Sequence, residues 1–336
     1  MIELFNRKTG EKLYCEFNIV SAGDIHSMKA FQSSVQEEYG TKYLRQEVYD
    51  MELLAERIKD ESIVCFLATS ADGDTISTLE LSPIDGMDGI LEMGTHVVRK
   101  KYRGFGVGTV FTKALLALPE AKRCSAVTAH SVTSHPLAQH QTISCGLEPT
   151  GFLFSCFSDA AFTPAFDHDN SKKNSVAVGI FSAEKKNAGE IYAPTCHRDF
   201  ISNIYNRLKV SYTLKNGQEA SGKTVYAVKQ DDIHHVKTVQ VFCSGRDLGE
   251  IVEKELLFPQ HPEQVVDILL DMNHPTAMEG YEIIKNKGFI FAGIYPLCQN
   301  GEFIILHHSL DVDIHFDKFS IDDGYRMIFE YIRDRA

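Results

Sequence analysis

The residues with the clearest chemical meaning in this sequence lie in a glycine-rich turn, Arg103–Gly108. The turn follows an apolar segment that ends in the β-branched pair Val97-Val98, and it precedes apolar residues that recur every three or four positions. This pattern predicts a strand, a tight turn and a helix. Unpaired N–H groups and the positive end of the dipole at a helix start favour a bound phosphate. We therefore predict that the turn cradles a pyrophosphate.

The side chains of the turn fit this prediction. Gly106 and Gly108 allow the backbone to approach a ligand without a Cβ atom in the way. Arg103 adds a permanent charge and a planar guanidinium suited to phosphate oxygens. At this turn the sequence has neither the P-loop pattern G-x-x-x-x-G-K-[ST] nor the dinucleotide fingerprint G-x-G-x-x-G. The alternative interpretation is a tight connection that holds no ligand.

The R-x-x-G-x-G pattern of the turn resembles the GNAT superfamily of N-acetyltransferases. A second segment is similar to the family motif N-x-x-A-x-x-x-Y-x-x-x-G-F: a strand at Ser125–Val132 leads into a helix that begins near His135. His135, Ala138 and Gly146 fall at the offsets of that motif. Thr142 occupies the position where many members carry the tyrosine that protonates the departing thiolate.

This resemblance implies an α/β (α+β) fold: a mixed, mostly antiparallel GNAT-type sheet flanked by helices, over roughly residues 14–184. It also implies that acetyl-CoA is the co-substrate, with its pantetheine arm paired to the strand before the turn. The mechanism that it implies is direct attack of an amine on the thioester. The residues expected to contact acetyl-CoA are Val97, Val98, Arg103, Gly104, Phe105, Gly106, Val107, Gly108, Thr109 and His135.

The same resemblance places the thioester beside the strand that carries Glu92 and His96. An attacking amine with a pKa of about 10.4 must first lose a proton. Glu92 and His96 are four residues apart on that strand and so share a face. A carboxylate on an apolar strand is costly to bury without a partner or a purpose. We predict Glu92 as the base and His96 as the second candidate; Glu80 and His130 lie on neighbouring strands.

An internal repeat predicts the organisation of the rest of the chain. The pattern H-P-x-A at 135–138 recurs at 274–277, and each copy precedes a helix and a glycine-containing tail that reaches Gly151 or Gly293. No R-x-x-G-x-G turn follows residue 189. We therefore predict a GNAT acetyltransferase domain at 1–187 and a degenerate GNAT-like domain without the pyrophosphate loop at 188–336. An unrelated α/β domain is the alternative for the second half.

Composition argues against several classes of protein. The net charge is −12, from 34 basic and 46 acidic side chains, and no lysine- or arginine-rich run occurs. Neither nucleic acid nor a membrane is therefore expected as a partner. The eight cysteines include no C-x-x-C pair, so we expect neither a metal site nor a disulfide framework. The N-terminus lacks the order of a secretory signal, and we expect a cytoplasmic protein.

The predicted function is an acetyl-CoA-dependent N-acetyltransferase that acts on the primary amine of a small molecule. The acceptor pocket is expected from two loops, 39–49 and 159–175, and a homodimer is possible. Two alternatives stay open: a coenzyme A-binding sensor or scaffold without catalysis, and a protein N-acetyltransferase that uses its second half for docking.

Overall fold

A computed structural model of the protein describes residues 1–6, 8–41, 43, 45–157, 173–183, 186–257, 261–262, 264–310 and 313–336. We call residues 1–187 the first half and residues 188–336 the second half. The secondary structure of the first half is β1 (Ile2–Phe5), β2 (Lys12–Ile19), α1 (Ile25–Tyr39), α2 (Met51–Lys59), β3 (Val64–Ser70), β4 (Thr75–Ile84), β5 (Met87–Val98), α3 (Val107–Leu116), α4 (Pro119–Arg123), β6 (Ala126–Val132), α5 (Leu137–Ser144), β7 (Glu148–Phe157) and β8 (Asn174–Phe181).

The second half follows with a shorter series of elements. They are β9 (Asn187–Ile191), α6 (Arg198–Leu208), β10 (Ser211–Leu214), β11 (Val225–Asp231), β12 (Val236–Cys243), α7 (Leu248–Leu257), β13 (Val265–Asp271), α8 (Ala277–Lys285), β14 (Ile290–Cys298), β15 (Gly301–His308) and α9 (Asp323–Arg333). Strand β9 begins at Asn187, inside the polar linker predicted at 184–189, and pairs in parallel with β10. From residue 187 onward the polar, glycine-containing segment that the sequence indicates as a linker is thus a strand.

Alternation along the strands places helices on both faces of the first-half sheet. Cys65 and Leu67 of β3 pack in one buried cluster with residues of α1 and α2. Phe66 and Ala68, which point the other way, pack in a second cluster with residues of α3. The fold is thus the mixed, mostly antiparallel α/β sheet flanked by helices that the sequence predicts.

The two halves contribute to a single sheet of thirteen strands, in the order β1-β2-β3-β4-β5-β6-β8-β7-β14-β15-β13-β12-β11. The run β4-β5-β6-β8-β7 in the first half has the same strand directions as β11-β12-β13-β15-β14 in the second. In both runs the pair at the crossover, β5 with β6 and β12 with β13, is parallel, and the other pairs are antiparallel. The topology therefore repeats where the H-P-x-A pattern repeats.

The seam between the halves lies where β7 meets β14. Gly151 pairs with Gly293, and a Cβ atom on Gly293 would lie 2.3 Å from the Gly151 Cα atom. Glycine at both positions allows the two backbones to cross this closely. One buried core spans the seam, with Phe152 and Phe154 packed among second-half residues. The two topological halves therefore share one core.

The C-terminal segment returns to the first half. The Ser320 amide donates a hydrogen bond to the Thr133 carbonyl, 2.7 Å away, and the Asp322 amide donates to the Gln139 side chain at 2.9 Å. Tyr325 of α9 is fully buried, with its ring 6.2 Å from that of Phe152. The last helix and the segment before it therefore pack the C-terminal end of the chain against α5 and β7.

The structure corrects one further prediction near the site. The sequence predicts a loop at Ile84–Gly89, but β4 continues to Ile84 and β5 begins at Met87. The intervening Asp85-Gly86, with Gly86 at a φ of 84°, is a two-residue pair typical of tight hairpin turns. Among the described helices, none is long and apolar enough to cross a membrane.

Candidate functional site

The glycine turn has the predicted form of a strand, a turn and a helix. Strand β5 ends at Val98, a short 3₁₀ segment covers Lys100–Tyr102, and α3 begins at Val107. Gly106 is the N-cap of α3 with a left-handed φ of 74°, and no side chain caps this helix end. A Cβ atom on Gly106 would meet nothing within 4 Å. The first N–H groups of α3 lack intrahelical acceptors, so this end of the helix is open to an anion.

The side chains of the turn hold it in place and leave its backbone for a ligand. Phe105 and Val107 are buried in the cluster around α3. Arg103 donates from Nε to the Val98 carbonyl at 2.9 Å and forms an ion pair with Glu38 at 2.9 Å. Because the Arg103 side chain is 42% exposed, its guanidinium is accessible beside the turn.

A cavity of about 350 Å³ lies at the same end of β5. It is lined by Ser34, Glu37, Glu38, Val97, Arg99, Lys100 and Lys101. Arg99 binds Glu37 through two hydrogen bonds of 2.8 and 2.9 Å, and Lys101 pairs with Asp74. Three cationic side chains and two carboxylates therefore line this space.

The corresponding crossover in the second half has no open turn. Gly245 follows β12, and a Cβ atom there would lie 2.3 Å from backbone atoms of Lys223 and Thr224. Asp247, which directly precedes α7, accepts hydrogen bonds of 2.7 and 2.8 Å from the Thr224 amide and hydroxyl. Backbone and a carboxylate thus fill the position where the first half is open.

In the first half, the neighbouring strands β5 and β6 also separate beside the turn. Strands β5 and β6 pair over three residues, the last pair being Glu92 with Thr128. The corresponding strands β12 and β13 pair over six residues, from Val236 with Val265 to Val241 with Leu270. The early end of the β5–β6 ladder leaves the backbone of β5 beyond Glu92 unpaired with β6.

A bulge in β5 lies just beyond this opening. Leu79 of β4 faces two residues, Thr95 and His96, and Thr95 has a left-handed φ of 47°. The Thr95 amide donates to the Tyr43 hydroxyl at 2.9 Å. Three buried polar atoms around the bulge have no hydrogen-bond partner among the described residues: Thr95 Oγ1, His96 Nε2 and Glu80 Oε2. The bulge reverses the alternation of side chains along β5, so that His96 packs beside Phe111 and Gln141 while Glu92 faces Arg45. The expectation that Glu92 and His96 share a face of the strand was therefore wrong.

His96 is a neutral side chain at this bulge. The Gln141 amide nitrogen lies 3.1 Å from His96 Nδ1 and donates to it, so the ring proton is on Nε2. Burial lowers the pKa of His96 to about 4. A histidine in this state is a hydrogen-bond donor and a weak base near neutral pH. The environment therefore counts against His96 as the second candidate for the base.

Glu92 lies at the centre of a polar cluster, as its position on an apolar strand indicated. Its two carboxylate oxygens bind Arg45 at 2.9 Å and His130 Nδ1 at 2.9 Å. Arg45 also contacts Glu80 and Ser82 of β4. Burial alone would raise the pKa of Glu92, but His130 and Arg45 lower it to about 2. Glu92 by itself is therefore a weak proton acceptor.

This low pKa predicts how the stability of the protein depends on pH. A carboxyl group whose pKa falls on folding stabilises the folded state above its ordinary value of 4.5, and this contribution is lost as the pH falls towards about 2. We expect the difference in free energy of unfolding between the wild type and Glu92→Gln to be largest near neutral pH and to shrink below pH 4.5. Urea unfolding of both proteins at a series of pH values measures it. A difference that does not change with pH would contradict the ion pairs described here.

The remaining residues of the predicted site lie on α5 and α3. His135 precedes α5, and Thr109 is in the first turn of α3. Thr142, which stands in place of the expected tyrosine, is buried, and its hydroxyl lies 3.5 Å from that of Tyr325 in α9. Tyr325 is itself fully buried, so its hydroxyl is not exposed to the cleft.

Sequence reasoning missed two members of the cluster. Arg45 lies in the loop predicted to shape the acceptor pocket, but its contacts with Glu80 and Glu92 depend on tertiary structure. Tyr295 comes from the second half, and its hydroxyl lies 2.6 Å from His130 Nε2. No local pattern marks either residue. Of the second predicted acceptor loop, residues 159–172 lie outside the described part of the chain.

Comparisons with known proteins add the following. No protein-family model matches the chain, and no curated protein matches it. A solved structure of spermidine N-acetyltransferase from Vibrio cholerae, in complex with CoA and spermine, is similar at 16% identity over 50% of this chain and 94% of that chain, with a TM-score of 0.36. The ribosomal-protein-S5-alanine acetyltransferase from Vibrio fischeri is similar at 9% identity over 51% of this chain and 94% of that chain, with a TM-score of 0.40. Both of these structures are acetyltransferases, and each is similar to about half of the present chain.

Proposed function

We propose that the protein is an acetyl-CoA-dependent N-acetyltransferase that transfers the acetyl group directly to the primary amine of a small molecule. One observation supports this most strongly: β5 and β6 separate after Glu92 and Thr128, next to an uncapped helix end with an open glycine turn. An open strand edge suits the amide-bearing pantetheine arm, and an open helix N-terminus suits a pyrophosphate. Bound acetyl-CoA would supply the activated acyl group at this place.

In this proposal the first half holds acetyl-CoA through backbone groups and a few cations. Amides of the turn from Gly104 to Thr109 bind the pyrophosphate, and Arg103 turns from Glu38 towards it. The edge of β5 at Val97 and Val98 binds the pantetheine arm. His135 lies across the opening at the start of α5. The neutral His96 ring donates from Nε2 to an oxygen that gains negative charge during transfer, a role in which single donors are worth about 2.7–4 kcal/mol.

The proton of the acceptor amine goes to the pair formed by Glu92 and His130. Glu92 is 24% exposed and His130 is 11% exposed, so Glu92 is the more accessible member. The carboxylate and the ring are in direct contact, 2.9 Å apart. Glu92 alone is a weak acceptor, and His130 gives the pair a second place for the proton. This keeps Glu92 as the expected base and adds His130 as its partner.

We propose that the second half is a degenerate copy that binds no coenzyme A. Two features support this: the backbone of Lys223 and Thr224 fills its turn at Gly245, and β12 and β13 stay paired over six residues. The Asp247 carboxylate at the start of α7 would also repel a phosphate. One acetyl-CoA per chain is therefore expected.

The test is acetyl-CoA turnover by the full-length protein with a panel of small primary amines, read by release of the coenzyme A thiol. We expect amine-dependent release that saturates with both substrates. Saturable acetyl-CoA binding without release for any amine would favour the sensor or scaffold. Release that requires a polypeptide amine and fails with every small amine would favour the protein acetyltransferase.

A further inference from the structure

Tyr295 brings the second half of the chain into the polar cluster of the first. It lies on β14, two residues beyond the seam glycine Gly293, and its side chain is fully buried. Its hydroxyl lies 2.6 Å from His130 Nε2 and 3.3 Å from Thr128 Oγ1, and both of these partners are on β6. A residue of the half without an open turn thus binds the imidazole that pairs with Glu92.

The donor and the acceptor of each hydrogen bond around Tyr295 can be assigned. The Thr128 hydroxyl donates to the Gly179 carbonyl at 3.1 Å, and a carbonyl can only accept. Tyr295 in turn donates to Thr128, which leaves its own oxygen to accept from His130 Nε2–H. At the other side of the ring, the Glu92 carboxylate accepts from Nδ1–H at 2.9 Å. This series of hydrogen bonds therefore matches the imidazole in the state after it has accepted a proton, with protons on both nitrogens.

The same hydroxyl also serves the ring after it has lost a proton. A tyrosine hydroxyl hydrogen can rotate, so Tyr295 can donate to an unprotonated Nε2. Of the two arrangements, the one with the charged ring is stronger, because hydrogen bonds to ionised groups are roughly twice as strong as neutral ones. Tyr295 therefore favours the protonated ring while leaving the unprotonated ring a partner.

We propose that Tyr295 is a positioning residue through which the second half sets the proton affinity of the Glu92–His130 pair. The proposal rests on the proposed function for its catalytic meaning. The charged and titratable groups around the ring are Glu92 on β5, Arg45 and Glu80 behind Glu92, and Tyr295 on β14. Among these, Tyr295 is the contribution of the second half, which is thereby a working part of the site.

The first experiment measures His130 without depending on activity. Full-length protein with isotope-labelled histidine is titrated by NMR, and the His130 signal is identified by its loss in His130→Gln. In Tyr295→Phe we expect the midpoint of the His130 titration to fall by about one pH unit, the shift that corresponds to a tenfold change in acidity. Tyr205→Phe is the matched control, because Tyr205 is a fully buried second-half tyrosine whose hydroxyl binds Glu302 at 2.7 Å. An unchanged His130 midpoint in folded Tyr295→Phe would overturn the proposal.

A second variant covers the case in which Tyr295→Phe does not fold. Thr128→Val keeps the shape of a fully buried residue and removes the acceptor of the Tyr295 proton. The freed hydroxyl then donates to Nε2, so the His130 midpoint should again move to lower pH. A His130 midpoint at or above that of the wild type would contradict the donor and acceptor roles assigned to Tyr295 and Thr128.

The second experiment measures turnover of acetyl-CoA with the best small amine from the panel, as a function of pH. In Tyr295→Phe we expect turnover to fall by about 10–100-fold, the effect of losing one hydrogen bond to a charged group. We also expect the acidic limb of the profile to move to lower pH. A loss of turnover with an unmoved limb would mean that Tyr295 is structural. If the His130 midpoint shifts but the wild type transfers no acetyl group, the proposed function fails and the coupling between the halves stands.

Discussion

Gly106→Asp is expected to abolish acetyl-CoA binding while the protein stays folded. Nothing lies within 4 Å of a Cβ atom at this position, so the side chain enters the open space in front of α3. There its carboxylate takes the place of a phosphate and repels the pyrophosphate. A like charge at a few ångströms near a protein surface lowers affinity by about 10²–10³-fold. Isothermal titration calorimetry of the wild type and the variant with acetyl-CoA measures this loss.

Gly222→Asp is the control for the backbone and the added side chain. Gly222 lies in the second half with a φ of 73°, close to the 74° of Gly106, and also has nothing within 4 Å of a Cβ atom. Both variants therefore place an aspartate at a similar left-handed φ, but the Gly222 variant should keep its affinity for acetyl-CoA. Gly106→Asn separates charge from size, since asparagine tolerates this conformation and carries no charge. Equal affinity for acetyl-CoA in the wild type and folded Gly106→Asp would show that the turn is not the pyrophosphate site.

Glu92→Gln is expected to lower turnover by about 10²–10⁴-fold with little effect on acetyl-CoA affinity. The substitution keeps the shape of the side chain and removes the carboxylate that binds His130 and Arg45. As the pH rises, more of the acceptor amine is already neutral and needs no base, so the defect should shrink. Turnover numbers and Michaelis constants for both substrates, measured from neutral to alkaline pH, check this.

Glu255→Gln is the matched control for the loss of a largely buried ion pair. Glu255 lies on α7 in the second half, is 13% exposed and pairs with Lys237 at 3.2 Å. It should lower stability and leave turnover at permissive temperatures close to that of the wild type. An equal loss of turnover at every pH in Glu92→Gln, or no loss, would assign Glu92 a structural role.

The parts of the site that follow local patterns could be predicted from the sequence. The turn at Arg103–Gly108 lies between an apolar strand and an apolar helix, and glycine positions in such a turn are fixed by backbone geometry. Likewise, the cost of burying Glu92 on an apolar strand indicated a partner or a purpose, and the structure supplies Arg45 and His130 as partners.

The remainder of the site depends on contacts that sequence spacing does not encode. Tyr295 meets His130 across 165 residues of chain, and their contact exists because β7 and β14 join the halves into one sheet. The separation of β5 from β6 depends on strand pairing, and the bulge at Thr95 has no marker in a sequence that reads as a regular strand. Length and the H-P-x-A repeat likewise give no sign of the core that the two halves share.

The most direct test of the account is the product balance of a reaction that contains the full-length protein, acetyl-CoA and a small primary amine. Mass spectrometry quantifies the acetylated amine and the released coenzyme A over time, and the protein is analysed for attached acetyl groups. We expect equal amounts of the two products, no acetylated intermediate on the protein, and no products with Gly106→Asp. Release of coenzyme A without an acetylated amine, or an acetyl group that accumulates on the protein first, would contradict direct transfer at this site.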